Sequence, residues 1–99
     1  MTSRRVSLSV NDAPVPLDYF IQSLTDHVVT GIILALEGIG EANAVELAVT
    51  PAAVSLKVNG AAVPTNAFVS RVITNTVFGL ASSLKGVGQI NSLRIDIKK

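Results

Sequence analysis

One constant offset constrains this chain more than any other feature of its sequence. Shifting residues 6–51 by 48 lays them over residues 54–99 without a gap, and 15 of the 46 pairs are identical. Val6, Ser7, Leu8, Val10 and Asn11 fall on Val54, Ser55, Leu56, Val58 and Asn59, and Phe20, Val29, Gly31 and Leu36 fall on Phe68, Val77, Gly79 and Leu84. Most of the other apolar positions exchange one hydrophobe for another. A repeat of this length marks an array or an internal pseudo-dimer. Ninety-nine residues suffice for one domain with a core. The expectation is therefore a single domain over 1–99, made of two repeats at about 4–50 and 52–99.

Each repeat reads as ββαβ. Val6, Leu8 and Val10 alternate with Ser7 and Ser9, the period of a strand with one buried face. Asn11-Asp12 and Asn59-Gly60 are two-residue hairpin turns, whose central residues favour positive φ. Such a turn sets Leu8 opposite Val15 and Leu56 opposite Val63, and Pro14, Pro16 and Pro64 suit return strands at the sheet edges. Asp18 and Asn66 are predicted helix N-caps. Helices then run from about Tyr19 to Glu37 and from about Ala67 to Lys85, with Gly38 and Gly86 as the C′ residues. Ile21, Val29, Ile32 and Leu36, and in the copy Val69, Ile73, Val77, Leu80 and Leu84, form the stripe predicted to cover the sheet. Val45, Leu47 and Val49 alternate again, as do Leu93, Ile95 and Ile97. A hairpin through Thr50 to Ala53 would pair Val49 with Val54, Leu47 with Leu56 and Glu46 with Lys57.

These patterns predict a two-layer α+β fold, a mostly antiparallel sheet with two long helices on one face. A second stripe is read about a quarter turn from the first: Phe20, Leu24, His27, Gly31 and Ala35, and Phe68, Val72, Asn75, Gly79 and Ser83. A mid-helix glycine costs about 1 kcal/mol relative to alanine. Gly31 and Gly79 at matched sites therefore suggest a packing reason, and the two helices are expected to touch along this stripe.

Composition narrows the functional classes. The chain has no cysteine, which excludes disulfides and thiolate metal sites. Its longest apolar run, Val28 to Leu36, is about half of what a bilayer requires. Arg4 and Arg5 precede an alternating strand and no apolar leader core, so the expected location is the cytoplasm, with no membrane partner. Residues 1–50 carry Arg4 and Arg5 against six carboxylates, a balance of −4, whereas residues 51–99 carry six cations against Asp96, a balance of +5. Opposite signs on adjacent copies would avoid repulsion. The cations of the second half are dispersed and aromatic residues are few, which argues against a nucleic-acid partner.

No constellation carries catalysis. His27 is the only histidine and Asp26 beside it is too little for a metal site. Ser82-Ser83-Leu84-Lys85 matches S-x-x-K without its companion motifs, and these residues close a helix. The glycines at 38 and 40, and at 86 and 88, follow helices, whereas a phosphate cradle precedes one. No catalytic residue, cofactor or metal is expected. Phe78 and Leu34 are read as outward-facing hydrophobes in a chain that is 48% apolar, which hints at a covered surface. The expected function is a non-catalytic interaction or assembly module. It would form a homo-oligomer through its helical layer at Phe78, Leu34 and their neighbours, or hold another protein there. The alternative is a small-molecule binding domain, with an apolar pocket between helices and sheet where His27 and Asn75 converge.

Overall fold

Local chemistry fixes where each element begins. The Asp18 carboxylate accepts the Ile21 N–H at 2.8 Å and opens α1 (Tyr19–Ala35), and the Asn66 side chain does the same for Val69 at 2.8 Å and opens α2 (Ala67–Ser82). Asn11 and Asp12, and Asn59 and Gly60, all take positive φ. They join β1 (Arg5–Val10) to β2 (Ala13–Val15) and β4 (Val54–Val58) to β5 (Ala61–Ala62). The remaining strands are β3 (Ala44–Val49) and β6 (Leu93–Lys98). The structure, a computed structural model, describes residues 5–36, 42–84 and 86–98.

The six strands form one antiparallel sheet in the order β2-β1-β6-β3-β4-β5. The two short return strands, with Pro14 inside β2 and Pro64 two residues beyond β5, are its edges, as proline's missing N–H predicts. The hairpin through Thr50 to Ala53 has the expected register: Val49 faces Val54, Leu47 faces Leu56 and Glu46 faces Lys57. Register elsewhere follows the same offset as the sequence. Leu8 faces Ile95 and Leu56 faces Leu47, so adding 48 to 8 and subtracting 48 from 95 converts the first pair into the second. The central pair, Leu47 with Ile95, maps onto itself. Because β6 lies between β1 and β3, and β3 between β6 and β4, neither half of the chain completes its own sheet.

Side chains alternate along the four long strands, and those on one side (Leu8, Val10, Val45, Leu47, Val49, Leu56, Val58, Leu93, Ile95, Ile97) are buried. Thr25, Val29 and Ile33 of α1 and Ile73, Val77 and Ala81 of α2 are the buried helical residues, at positions again 48 apart. α1 contacts β1, α2 contacts β4, and the helices contact each other. Thr25 is fully buried and its hydroxyl has no hydrogen-bond partner. An unpaired buried hydroxyl costs about 1–3 kcal/mol, and the matched position holds Ile73, which is 1% exposed. Thr25→Val is accordingly expected to stabilise the protein by about 1–2 kcal/mol. A lower urea midpoint for the variant would contradict this.

The turn asparagines do more than turn. Asn11 Oδ1 accepts from the N–H groups of Asn91 at 2.7 Å and Ser92 at 3.0 Å, and its Nδ2 donates to the Gln89 carbonyl at 2.8 Å. Asn59 Oδ1 accepts from Asn43 at 2.8 Å and Ala44 at 3.0 Å. Each turn thus straps the segment entering the other half's last strand. Glycine would keep the positive φ at these positions (52° in both) and remove only the strap. Asn11→Gly and Asn59→Gly should each lower stability by about 1–2 kcal/mol in urea titrations. Wild-type stability in both would mean that the straps contribute nothing.

Two sequence expectations fail at the helix ends. α2 stops at Ser82 and not near Lys85, because Ser82 and Ser83 both donate their hydroxyls to the Gly79 carbonyl and the last turn tightens, with Ser83 N–H bonded to Leu80 O. Gly86, at φ +85°, sits in the turn beyond the helix and is not its C′ residue. α1 ends at Ala35, since Leu36 is already extended. Gly38, Gly40 and Glu37 lie outside the described residues, as does Lys85.

Candidate interaction surface

The caps at Asp18 and Asn66 place Phe20 and Phe68 at the second position of their helices. Eleven residues, close to three full turns, separate Phe20 from Gly31 and Phe68 from Gly79. Leu24 and His27, and Val72 and Asn75, fall between on the same line. Gly31 is two residues past the buried Val29, about 200° round the helix. This stripe therefore points away from the core and not at the other helix. Phe20 is 67% exposed, Phe68 69% and Val72 38%, with Tyr19 at 63% and Leu34 at 62% beside them.

The expectation that the helices touch along Gly31 and Gly79 is corrected by this geometry. Both glycines are exposed, and a Cβ added at either would meet nothing within 4 Å. The helices do touch, but elsewhere on their surfaces. Stripe and core could be confused from sequence because both sides of each helix are apolar, so the period alone leaves the rotation open. The angle from Val29 to Phe20, nine residues or about 180°, was the signal that could have found the surface.

Phe78 is a second correction. It is half-buried and packs against the core cluster, not outward. One residue from the buried Val77, it lies on the flank of α2, from which a ring is long enough to reach the interior. Leu34 is outward, as expected. His27 and Asn75 are both exposed, so they do not converge in a pocket between helices and sheet. The His27 Nδ1 lies 2.7 Å from the Ser23 carbonyl, to which it donates, which fixes the ring against its own helix. Asn75 borders a shallow depression of about 260 Å³ beside the Thr50–Val54 turn, lined also by Arg71 and Thr74.

The side of the sheet that carries Ser7, Glu46, Arg94 and Asp96 is polar. An open concavity of about 720 Å³ at the end of the sheet is bordered by Arg5, Glu46, Arg94, Asp96 and Lys98, and also by Val6, Val45 and Gln22 of α1. Arg94 donates from Nε to Asp96 at 3.0 Å and from a terminal nitrogen to Glu46 at 3.4 Å, bridging two carboxylates that face each other across β3 and β6. The Asp96 hydrogen bond and charge, with a smaller effect of Glu46, hold the Arg94 guanidinium above its ordinary range against a small opposing effect of burial. Glu46 and Arg94, 48 residues apart in sequence, have opposite sign and form an ion pair at 3.4 Å. The pair is exposed and contributes little to stability. No group of three or more His, Cys, Asp or Glu side chains converges among the described residues, and none of their helices is long and apolar enough to cross a membrane.

Comparison with family models, with curated proteins and with solved structures finds no match to this chain.

Proposed function

We propose that this protein is a non-catalytic assembly module that pairs with a second copy of itself through the outward surface of its two helices. The fold this reading assumes is a duplicated ββαβ unit forming one domain, with both helices on one face of the sheet. The 48-residue symmetry of strand order, register and asparagine straps supports it.

The observation that carries the reading is a pair of exposed phenylalanines at matched positions, each with an exposed glycine three turns further along the same line. In each helix that glycine costs about 1 kcal/mol relative to alanine, and no contact among the described residues accounts for it. The molecule measures 37 × 35 × 18 Å, a thin slab whose broad face is large enough to bury the roughly 800 Å² per partner of a stable interface. A second copy is the occupant favoured by charge, since α1 carries the acidic Asp26 and α2 the basic Arg71. A two-fold pairing can set each helix against its opposite.

Light scattering tests the proposal. The expected mass is twice the 10.3 kDa of one chain. The mass of a single chain at high micromolar concentration would overturn it.

A further inference from the structure

The helical surface also specifies how a second copy would sit on it. We infer that α1 of one copy packs antiparallel on α2 of the other, with Phe20 seated over the partner's Gly79 and the partner's Phe68 seated over Gly31. This rests on the self-association proposed above and adds its register.

The argument starts from spacing. Phe20 to Gly31 and Phe68 to Gly79 both span 11 residues, about 16 Å along a helix. Equal spans mean that two such stripes laid antiparallel bring each ring to the other's glycine. Parallel stripes would set ring on ring and glycine on glycine, leaving a gap at one end. The glycines are open enough to receive a ring, because nothing lies within 4 Å of where their Cβ atoms would be. The rings are exposed enough to leave their own helices, at 67% and 69%. Close approach of backbones at small residues then brings the neighbouring Leu24 and Val72 into the contact.

Two antiparallel pairings satisfy this spacing, α1 on the partner's α1 or α1 on the partner's α2. Charge separates them. Asp26 is the only acidic residue of α1 and Arg71 the only charged residue of α2. α1 on α1, in which residue numbers across the contact sum to 51, would set Asp26 beside the partner's Asp26. α1 on α2 sets Asp26 within two residues of the position facing the partner's Arg71, so opposite signs meet. In that register residue numbers across the contact sum to 99, so His27 lies beside the partner's Val72 and Leu24 beside the partner's Asn75.

The chain contains no cysteine, so single introduced cysteines report the register cleanly. His27→Cys and Val72→Cys are prepared separately, mixed in equal amounts and oxidised, with light scattering run beforehand on each. Both positions are on the exposed stripe, so folding is checked by circular dichroism and expected to be unchanged. The expected result is a disulfide-linked dimer joining the two variants, at least tenfold above the yield from either variant alone. Efficient self-linking of His27→Cys would instead support α1 on α1 and overturn the inference. Dimeric mass without any linking would reject this register and leave the self-association standing. Monomeric mass before oxidation would remove both.

Discussion

Truncating Ile95 to alanine is expected to lower the unfolding free energy by about 2–5 kcal/mol, and truncating Leu47 to cost the same within about 1 kcal/mol. The two side chains face each other at the centre of the sheet, 1% and 2% exposed, on the strands through which the halves of the chain meet. Removing either leaves a cavity bordered by both halves, and surrounding strands cannot close it without losing register. A loss of that size is a large share of the roughly 5–15 kcal/mol that holds a domain folded. The near equality is the sharper expectation, since Ile95 lies between Leu8 and Leu47 and Leu47 lies between Ile95 and Leu56, each flanked by buried aliphatic side chains. Being in contact, the two truncations should also combine non-additively, by about 0.5 kcal/mol or more. Urea titrations of the two single variants and the double variant measure all three quantities. A cost under about 1 kcal/mol at Leu47 with a full cost at Ile95 would mean that the central pair is not shared equally.

The second large effect is on association. Phe20→Ser and Phe68→Ser together should weaken pairing by more than about a hundred-thousandfold, because a pair of variant chains loses four aromatic anchors, each contributes about 2 kcal/mol, and every 1.4 kcal/mol is tenfold. The same substitutions should leave the single chain folded, since both side chains are more than two-thirds exposed and surface changes typically fall within about 0.5 kcal/mol. Phe78→Ser is the control that separates surface from core. That ring packs against the buried cluster, so its loss should lower the urea midpoint. Sedimentation velocity distinguishes the cases: the double variant sediments as a single chain with native circular dichroism. Wild-type sedimentation of the double variant would contradict the proposed surface.

Much of the fold was legible because it is written in short-range patterns. The turn at Asn59-Gly60, the caps at Asp18 and Asn66, the proline-marked edges and the Glu46–Lys57 register each depend on neighbours a few residues away. Strand order was not legible. Alternation at β1, β3, β4 and β6 says which side is buried, but any of these strands could lie beside any other. For the same reason Asn11 and Asn59 read only as turn residues, because their partners at Asn91, Ser92, Asn43 and Ala44 become neighbours only once β6 and β3 are placed.

The surface was half legible. Its members, from Phe20 to Gly31 and from Phe68 to Gly79, were already grouped by helical spacing. Their direction was misread, because a helix apolar on two sides has no single preferred rotation. Phe78 was misread in the opposite sense, as a flank position whose ring is long enough to turn inward. Burial separated the two, placing Val29, Ile33, Ile73 and Val77 inside and leaving Phe20 and Phe68 outside.

Sedimentation equilibrium of the unmodified chain over a broad concentration range bears most directly on whether this exposed helical surface finds a second copy. Pairing predicts one reversible monomer–dimer equilibrium whose upper limit is two chains of 10.3 kDa each. A mass of one chain throughout, up to high micromolar concentration, would contradict the account.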